Sequence, residues 1–306
     1  MPSLQQLRYL VAIAETRHFR RAAEACHVTQ PTLSGQLREL ERKLGIELVE
    51  RGRSGVVLSP LGAAIAARAR AVLREVEAIE EMARLGQDLF AGTLRVGVLQ
   101  SLGPYLLPHI LPDLHRRHRD LKVYVREGMP RTLLDGLGDG SLDLLFFPLP
   151  VRDDDLAVAP LFREPLLLAV PAEHALAGRD RAQRRDLKGE TVLTLEPGHR
   201  LHDQVRELCQ SLGASLSPDY EGTSLDTLRQ MVGLGMGLSF LPALYVRSIA
   251  RHDRQIALLS LTASPPVRQI GMLWRRRSAR GPEFAELAAT IREIAGRRLG
   301  KVIDLD

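Results

Sequence analysis

The segment LRYLVAIAETRHFRRAAEACHVTQPTLSGQLRELERKLGIELVER, residues 7–51, gives the clearest indication of how the amino-terminal part of the chain folds. Apolar residues recur at helical spacing over residues 4–16 and again over 19–26, which predicts two amphipathic helices in close succession. A third helix is predicted after the turn, because Thr29 is a good N-cap and Pro31 fits a first helical turn, where its missing amide would be unpaired anyway. The segment therefore predicts three short helices joined by tight turns.

The predicted third helix starts near Gln30 and has one apolar face. Its apolar positions fall on a single stripe, at Leu33, Leu37, Leu40 and Leu44. The runs ELVERG and GVVLSP follow it, separated by RSG, and they predict a β-hairpin with a basic tip at Arg51 and Arg53. Helix, helix, turn, helix and hairpin together predict a winged helix-turn-helix, which is a DNA-binding unit.

The polar faces of this unit supply candidate DNA contacts. A short side chain such as Ser34 or Gly35 lets the third helix enter the major groove, where Gln30 can pair with base edges. Arg17 and other arginines suit the flanking phosphates, and Arg53 suits the minor groove or the backbone. The predicted DNA-binding residues are Arg20, Arg21, Thr29, Gln30, Pro31, Thr32, Ser34, Gly35, Arg38, Arg51 and Arg53.

Charge supports this interpretation for the set of arginines, although any single one is as well explained by a solvated face. Residues 1–60 hold nine Lys or Arg against six Glu, a net charge of +3, while the whole chain has a net charge of +5 and a pI of about 9.5. The amino-terminal unit thus carries much of the basic excess that a polyanion would meet.

Composition describes an ordinary globular protein of two or three compact units, with 306 residues, 45% apolar and 26% charged. Two cysteines, Cys26 and Cys209, lie far apart in sequence, which excludes a disulfide-stapled secreted scaffold and fits a reducing cytoplasm. We see no export signal and no stretch long and apolar enough for a membrane span, so a cytoplasmic protein is expected.

A long helix is predicted from Pro60 to about Gly86. Its apolar residues alternate four and three positions apart, at Ile65, Ala69, Val72, Val76, Ile79 and Ala83. That heptad spacing is typical of a two-helix seam, so we expect a dimerising linker helix. A plain amphipathic helix packed on its own domain remains the alternative.

Strands and helices alternate through the rest of the chain. GTLRVGVL, KVYVREG and SLDLLFFPL read as strands around the helix SLGPYLLPHILPDLHRRH, and EPLLLAVPA, TVLTLEP and LHDQVRELCQSLG begin a second set. The strand QIGMLWRR precedes a final helix from Pro282 to about Gly296. This alternation predicts an α/β domain with a largely parallel sheet.

The run at residues 7–51 resembles the DNA-binding domain of LysR-type transcription regulators. Further pieces, including FREPLLLAVPAEH, GHRLHDQ and TSLDTLRQMVGLGMGLSFLPA, resemble the peroxide-responsive OxyR branch of that family, so the resemblance spans nearly the whole chain. It implies a type 2 periplasmic-binding-protein-like effector domain of two subdomains, with the chain crossing near Pro160 and returning near Pro266. The expected domains are residues 1–60 for DNA binding, 61–90 for the linker and 91–306 for regulation, with subdomain I at 91–160 and 267–306 and subdomain II at 161–266.

Two positions depart from the OxyR pattern. The resemblance places the peroxide-reactive cysteine directly after Gly-His, where this chain has Arg200, and it matches Cys209 to the resolving cysteine. It also matches Ser101, His199, Asp203 and Gln204 to positions near the peroxide pocket, whereas Pro130 replaces a threonine there. An arginine cannot form a sulfenic acid or a disulfide, so peroxide sensing of that kind is not expected.

Two interpretations of Arg200 have equal weight at this point. Arg200 could bind an anionic effector, such as a carboxylate or phosphate, bidentately. It could instead pair with Asp203 or another carboxylate and hold one conformation permanently. Residual or lost redox sensing through Cys209 is a further alternative, although a lone helical cysteine without an activator is more often inert, and Cys26 is expected to pack as a small hydrophobe.

Other functions are less well supported by the sequence. His199, His202 and Asp203 lack further matched ligands for a metal, and no glycine-rich run matches a nucleotide-binding pattern, so no metal or cofactor is expected. We find no nucleophile with a base partner, which argues against an enzyme. A solute-binding protein would share the two-lobed fold but not the DNA-binding head.

The sequence therefore predicts a transcription regulator of LysR type. Its expected partners are double-stranded DNA carrying an inverted repeat, further copies of itself in a homodimer or homotetramer, RNA polymerase and a small effector. An effector would act through different affinities for two arrangements of the assembly.

Overall fold

The computed structural model describes residues 1–52, 55–85, 92–250, 253–262 and 265–305. The chain divides into two compact units, one formed by Met1–Asp88 with Gly138–Ser141 and the other by Leu89–Leu137 with Leu142–Asp306. Of the predicted positions, Arg53 lies outside the described residues, and only the backbone of Arg51 is described.

The first unit contains four helices and a two-stranded hairpin among its described residues. They are α1 (Leu4–Thr16), α2 (Phe19–Ala25), α3 (Gln30–Leu44), β1 (Val49–Gly52), β2 (Gly55–Leu58) and α4 (Pro60–Leu85). β1 and β2 pair in antiparallel register. The predicted order of helix, helix, turn, helix and hairpin is therefore confirmed.

Local capping explains where these helices begin and end. The Ser3 hydroxyl accepts a hydrogen bond from the Gln6 amide while the Gln6 side chain accepts one from the Ser3 amide, a complete capping box at the start of α1. Thr29 caps α3 by accepting from the Thr32 amide, as predicted. Gly45 ends α3 with a φ of 70°, a left-handed conformation that glycine adopts without a steric cost.

The core of the first unit joins all three short helices to the hairpin. Three of the four predicted stripe leucines, Leu33, Leu37 and Leu40, are buried in it, and Leu44 packs against it in part. Tyr9, Leu10 and Ile13 from α1 are the other large residues buried here, followed by Leu48, Val49 and Val56 around the hairpin. Cys26 is the C-cap of α2 rather than a residue within the helix, and it is only half-buried.

The heptad stripe of α4 divides into two parts. Near its start, the stripe residue Ile65 and its neighbour Ala66 pack on the core of the first unit, which fits an amphipathic helix on its own domain. Further along, Val72 is 45% exposed and Ile79 is 59% exposed. The later turns therefore leave apolar positions open to another surface.

The start of α4 crosses very close to the chain that leads into the hairpin. A Cβ atom on Gly62 would lie 2.0 Å from the Leu48 carbonyl oxygen, whereas a Cβ on Gly35 would meet nothing within 4 Å. We expect Gly62→Ala to lower the free energy of unfolding of this unit by about 1–3 kcal/mol, because backbone must move to admit the methyl group. Gly35→Ala, in an open helix interior, should instead raise it by about 0.5–1 kcal/mol. Chemical denaturation of both variants checks this, and equal effects would contradict it.

The second unit alternates strands and helices, as predicted. Its helices are α5 (Gly103–Arg117), α6 (Pro130–Gly138), α7 (Arg200–Leu212), α8 (Leu225–Gly233), α9 (Ala243–Ser248) and α10 (Gly281–Leu299), with a short 3-10 turn at Arg184–Leu187. Its strands are β3 (Gly92–Leu99), β4 (Leu121–Gly128), β5 (Leu144–Leu149), β6 (Leu156–Pro171), β7 (Arg181–Ala182), β8 (Thr191–Leu195), β9 (Ser215–Gly222), β10 (Leu238–Pro242), β11 (Ile256–Leu261) and β12 (Val267–Arg275).

These ten strands form one sheet in the order β4-β3-β5-β12-β6-β10-β8-β9, with β11 beside β6 and β7 beside β11. β3 pairs in parallel with β4 and β5, and β8 pairs in parallel with β9 and β10. β12 runs antiparallel to both β5 and β6, and β6 runs antiparallel to β10 and β11. The expectation of a largely parallel sheet is therefore met only within each half, because β6 and β12 pair antiparallel with their neighbours where the two halves join.

β6 is the strand that links the two halves of this unit. Its residues up to Pro165 pair with β12, and its residues from Leu166 onward pair with β10 and β11. The change of partner comes later along the chain than the expected crossing near Pro160.

None of the helices in the described part of the chain combines the length and hydropathy needed to span a bilayer.

Candidate functional site

The outer face of α3 presents the candidate base-reading residues. Gln30, Pro31, Thr32, Gly35 and Arg38 are exposed, and Ser34 is half-buried beside them. All lie in the first three turns of α3, on the faces outside the stripe of buried leucines. This end of the helix can enter a major groove, because the small side chains at positions 34 and 35 do not block the approach of DNA to Gln30.

Several of the predicted DNA contacts already have partners within the unit. Thr29 and Thr32 share a hydroxyl hydrogen bond of 2.8 Å at the helix cap. Arg20 forms an exposed ion pair with Glu24 at 3.2 Å, and Arg38 donates to the Ser34 carbonyl at 3.3 Å. Exposed pairs of this kind are weak, so both arginines can exchange them for phosphate oxygens.

A buried glutamine that the sequence interpretation did not single out fixes the orientation of α3. Gln6 on α1 is 2% exposed and donates to the Gln36 side chain at 3.1 Å, while the Lys43 ammonium donates to the Gln6 carbonyl oxygen at 3.2 Å. A polar residue on the apolar face of α1 was the available signal. The network holds two separated turns of α3 against α1.

A cleft in the second unit contains Arg200. It has a volume of about 930 Å³ and lies among α6, the end of β5, the start of β12 and the first turns of α7. Its charged lining residues are Arg152, Arg163, Arg200, Asp203 and Glu207. Pro130 and Gln204 also line it, so the cleft collects four of the positions that the sequence interpretation named.

Arg200 is half-buried at the first position of α7 and donates from Nη2 to the carbonyl of Pro150 at 2.8 Å. Asp203 does not pair with it, because that carboxylate forms an ion pair with Arg206 at 3.3 Å. Within the described residues, Arg200 makes no ion pair. The alternative in which Arg200 pairs with Asp203 or another carboxylate therefore finds no support among the described residues, where no carboxylate neutralises the guanidinium.

Gln204 ties the same helix to β12. Its side-chain amide donates to the Val267 carbonyl at 2.7 Å, next to the point where the chain returns along β12. Together with the bond from Arg200 to Pro150, this contact fixes both ends of the first turn of α7. A molecule entering the cleft would have to compete with these two bonds or leave them intact.

The other three predicted pocket residues are not brought into this cleft. Ser101 is 6% exposed, His199 is 7% exposed and Cys209 is 2% exposed, and none of them lines the cavity. Cys209 lies nine residues after Arg200 in the same helix, about 13.5 Å along its axis. The cleft and the buried positions are therefore separate environments.

Ser101 belongs to a buried ionic network that the sequence interpretation missed. Arg268 donates to the Ser101 hydroxyl at 3.2 Å and to its carbonyl at 2.9 Å, and it pairs with Glu164 at 2.6 Å. The other Glu164 oxygen accepts from the Leu244 amide at the start of α9, at 2.8 Å. A glutamate and an arginine within otherwise apolar strands were the signal that could have identified it.

Burial shifts the pKa of two side chains at α7, those of Cys209 and of the N-cap residue His199. Burial raises the pKa of the Cys209 thiol to about 11, so the thiolate that would attack a peroxide is scarce at neutral pH. Burial also lowers the pKa of His199, which favours its neutral ring. The Nδ1 of His202 lies 2.8 Å from the Leu195 carbonyl. In the described residues, no three His, Cys, Asp or Glu side chains are grouped to hold a metal.

Cys26 resembles Cys209 in this respect. Burial raises the pKa of its thiol as the largest effect, with Arg8 acting in the opposite direction. It packs beside the core of the first unit. Both thiols therefore lack the electropositive, low-pKa setting of a redox-active cysteine.

Comparisons with known proteins identify two family models in the chain. Residues 4–63 match "Bacterial regulatory helix-turn-helix protein, lysR family", and residues 87–296 match "LysR substrate binding domain". The chain is similar to the DNA-binding transcriptional dual regulator OxyR of Escherichia coli K12, with 41% identity over 98% of each chain. It is also 40% identical to a probable hydrogen peroxide-inducible genes activator of Streptomyces viridosporus, over 95% of this chain and 94% of the relative.

A solved structure extends the likeness to the whole architecture. A full-length OxyR variant from Pseudomonas aeruginosa aligns with a TM-score of 0.78 and 37% identity, over 95% of this chain and 98% of the other. The two-unit arrangement of a helix-turn-helix followed by a periplasmic-binding-like α/β domain is thus shared with that protein.

Proposed function

Because this chain belongs to the LysR family of bacterial transcription regulators and is OxyR-like over 98% of its length, we propose that a small anionic effector, rather than a two-cysteine peroxide switch, sets its state. The chain is a DNA-binding regulator of the oxidative stress response class. The residues that line the cleft at α7 indicate which signal the chain senses.

One observation carries the proposal. Arg200 stands where the OxyR resemblance places the attacking thiol, and among described residues its guanidinium donates to a backbone carbonyl while forming no ion pair. It faces a cavity whose volume suits a small organic molecule. A carboxylate or phosphate can accept two parallel hydrogen bonds from this side chain, a geometry that an arginine offers better than any other residue.

The raised pKa of Cys209 supports the same proposal. A thiol with a pKa of about 11 reacts slowly with peroxide at neutral pH, and a partner thiol is absent from position 200. Sensing through Cys209 alone would require α7 to open first, since that side chain is buried in the core.

A permanently locked regulator is the second candidate function. The bond from Arg200 to the Pro150 carbonyl joins α7 to the segment after β5, and it would hold one conformation without any ligand. The two candidates differ in whether an added anion changes the protein.

Titration of the full-length protein with inorganic phosphate, succinate, citrate and benzoate tests the proposal. We expect at least one of them to raise the melting temperature and to change the length of the DNase footprint. Arg200→Ala should lower the affinity for that anion by about tenfold or more, because a charge-assisted bidentate contact is lost. Arg131→Ala is the matched control, since this arginine is exposed beside the cleft but does not line it.

The opposing results are distinct. If no anion shifts the melting curve and Arg200→Ala changes the footprint without any ligand, the locked regulator is supported instead. If peroxide changes the footprint and Cys209→Ser abolishes that response, redox sensing through Cys209 is supported. A relative from Escherichia coli O157:H7 with the name "Hydrogen peroxide-inducible genes activator" serves as the positive control for peroxide treatment.

For the assembly, we propose a DNA-binding head at residues 1–60, a linker helix at 61–90 and a regulatory domain at 91–306. Regulators of this family bind DNA and form oligomers. Exposed Val72 and Ile79 on α4 support pairing of linker helices, and exposed Tyr124 on the edge strand β4 supports pairing of regulatory domains. A homotetramer would present its heads to an inverted repeat, where an effector-dependent change of spacing could alter contact with RNA polymerase.

A further inference from the structure

The second unit contains a second cavity that shares no lining residue with the Arg200 cleft. Its volume is about 1100 Å³, and it lies among α9, β11, the end of α10 and the residues that follow α10. Its larger apolar lining residues are Leu167, Val246, Leu258, Leu261 and Val302. Its charged lining residues are Arg181, Arg247, Arg297, Arg298 and Lys301. We call it the basic groove.

Positive charge in the basic groove is only partly neutralised. Arg298 contacts the Asp113 carboxylate with two nitrogens, at 2.9 and 3.0 Å, and Arg297 contacts it at 2.7 Å. No acidic residue is among the described residues that line the groove. Asp113 is 2% exposed behind them, and Arg116 pairs with it too, so one carboxylate faces three cations.

The remaining three cations have no acidic partner among the residues that the structure describes. Arg247 donates to the Arg298 carbonyl at 3.2 Å, which leaves its charge uncompensated, and Arg181 and Lys301 are exposed side chains without an ion pair. The field of this cluster reaches α5. The pKa of His109 is lowered by its burial first and then by Arg247 and Arg298.

We propose that the basic groove binds an organic anion with an apolar body, such as a long-chain carboxylate. The apolar side chains form a surface that excludes water, and the cations stand around it where a charged head group would lie. Ser260 adds a hydroxyl among them. A small inorganic anion would leave the apolar lining uncovered, and a neutral apolar molecule would leave the cations unpaired.

Calorimetric titration of the full-length protein with decanoate below its micelle concentration tests this inference. We expect decanoate to bind. Acetate, which lacks the apolar body, and decyltrimethylammonium, which reverses the charge, should not bind. The triple substitution Arg181→Ala, Arg247→Ala and Lys301→Ala should lower the affinity for decanoate by at least about tenfold. Arg297 and Arg298 are left intact, because their removal would take two of its three cations from the buried Asp113 carboxylate.

Two further variants separate the groove from other effects. Arg277→Ala is the matched control, since Arg277 is exposed in the same unit but does not line the groove, and it should leave decanoate binding unchanged. Ser260→Phe keeps every charge but fills the groove, so it should weaken decanoate as the triple variant does. Arg200→Ala should bind decanoate normally, which makes this result independent of the effector proposal.

Several results would overturn the inference. Undiminished decanoate binding by the triple variant or by Ser260→Phe would place the ligand elsewhere. Loss of binding in Arg200→Ala alone would assign decanoate to the cleft at α7. Absence of decanoate binding, with binding of a peptide rich in Glu and Leu that the triple variant loses, would make the groove a protein contact instead.

Discussion

Arg268→Ala is expected to lower the free energy of unfolding of the second unit by about 3–5 kcal/mol. Arg268 is 3% exposed and Glu164 is fully buried, with 2.6 Å between Nε and Oε2. Removing the guanidinium leaves a buried carboxylate without its counter-ion and takes two donors from Ser101. The loss is large because the charge left behind is buried away from water and keeps the Leu244 amide as a hydrogen-bond donor but no cation among the described residues.

Urea denaturation followed by circular dichroism measures this effect. Arg117→Ala is the control, because Arg117 and Glu293 form an ion pair in which both side chains reach solvent, and the midpoint should hardly move. The double variant Arg268→Met with Glu164→Gln removes both charges while keeping an oxygen for the Leu244 amide, so it should recover much of the stability. An Arg268→Ala midpoint no lower than that of Arg117→Ala would contradict the expectation.

Gln30→Ala is expected to lower the affinity for the specific operator by about 1–3 kcal/mol per half-site, or about 2–6 kcal/mol for a pair of heads. Gln30 is the first residue of α3 and is exposed, with Ser34 and Gly35 on the adjoining turn. Its side-chain amide can donate and accept at once, which is how a glutamine pairs with adenine in the major groove. Binding to non-specific DNA should be unchanged, because that binding comes from phosphate contacts.

Fluorescence anisotropy with specific and non-specific duplexes at several salt concentrations separates the two effects. Arg38→Ala should weaken both duplexes and reduce the salt slope by about one for each head. Arg42→Ala is the control, because Arg42 lies at the far end of α3 and pairs with Glu39 at 2.6 Å. Equal losses on both duplexes for Gln30→Ala would show that Gln30 does not read bases.

The helices, the wing and their order could be predicted from the sequence because they depend on neighbours a few residues apart. Thr29 caps a helix three residues away, and the leucine stripe of α3 follows the 3.6-residue period. The same local patterns also identified most strands of the second unit. These local patterns could not predict the direction of β12, because strand direction depends on which strands come together.

The candidate sites show the same division. The sequence alone determined that position 200 holds an arginine and therefore cannot perform thiol chemistry. In the folded chain, Arg200 donates to the Pro150 carbonyl, fifty positions away, and Asp203 forms its ion pair with Arg206. Such pairings depend on distance and burial, for which a one-dimensional pattern has no measure.

The family, the DNA-binding head and the missing thiol can all be recognised before folding is considered, because residue identity and short-range spacing suffice for each. Two features required the folded chain. They are the buried pair of Glu164 with Arg268, which are 104 positions apart, and the basic groove, whose cations come from three separate segments. The physical reason is that desolvation and uncompensated charge are properties of a folded surface, and they arise only when distant parts of the chain pack together.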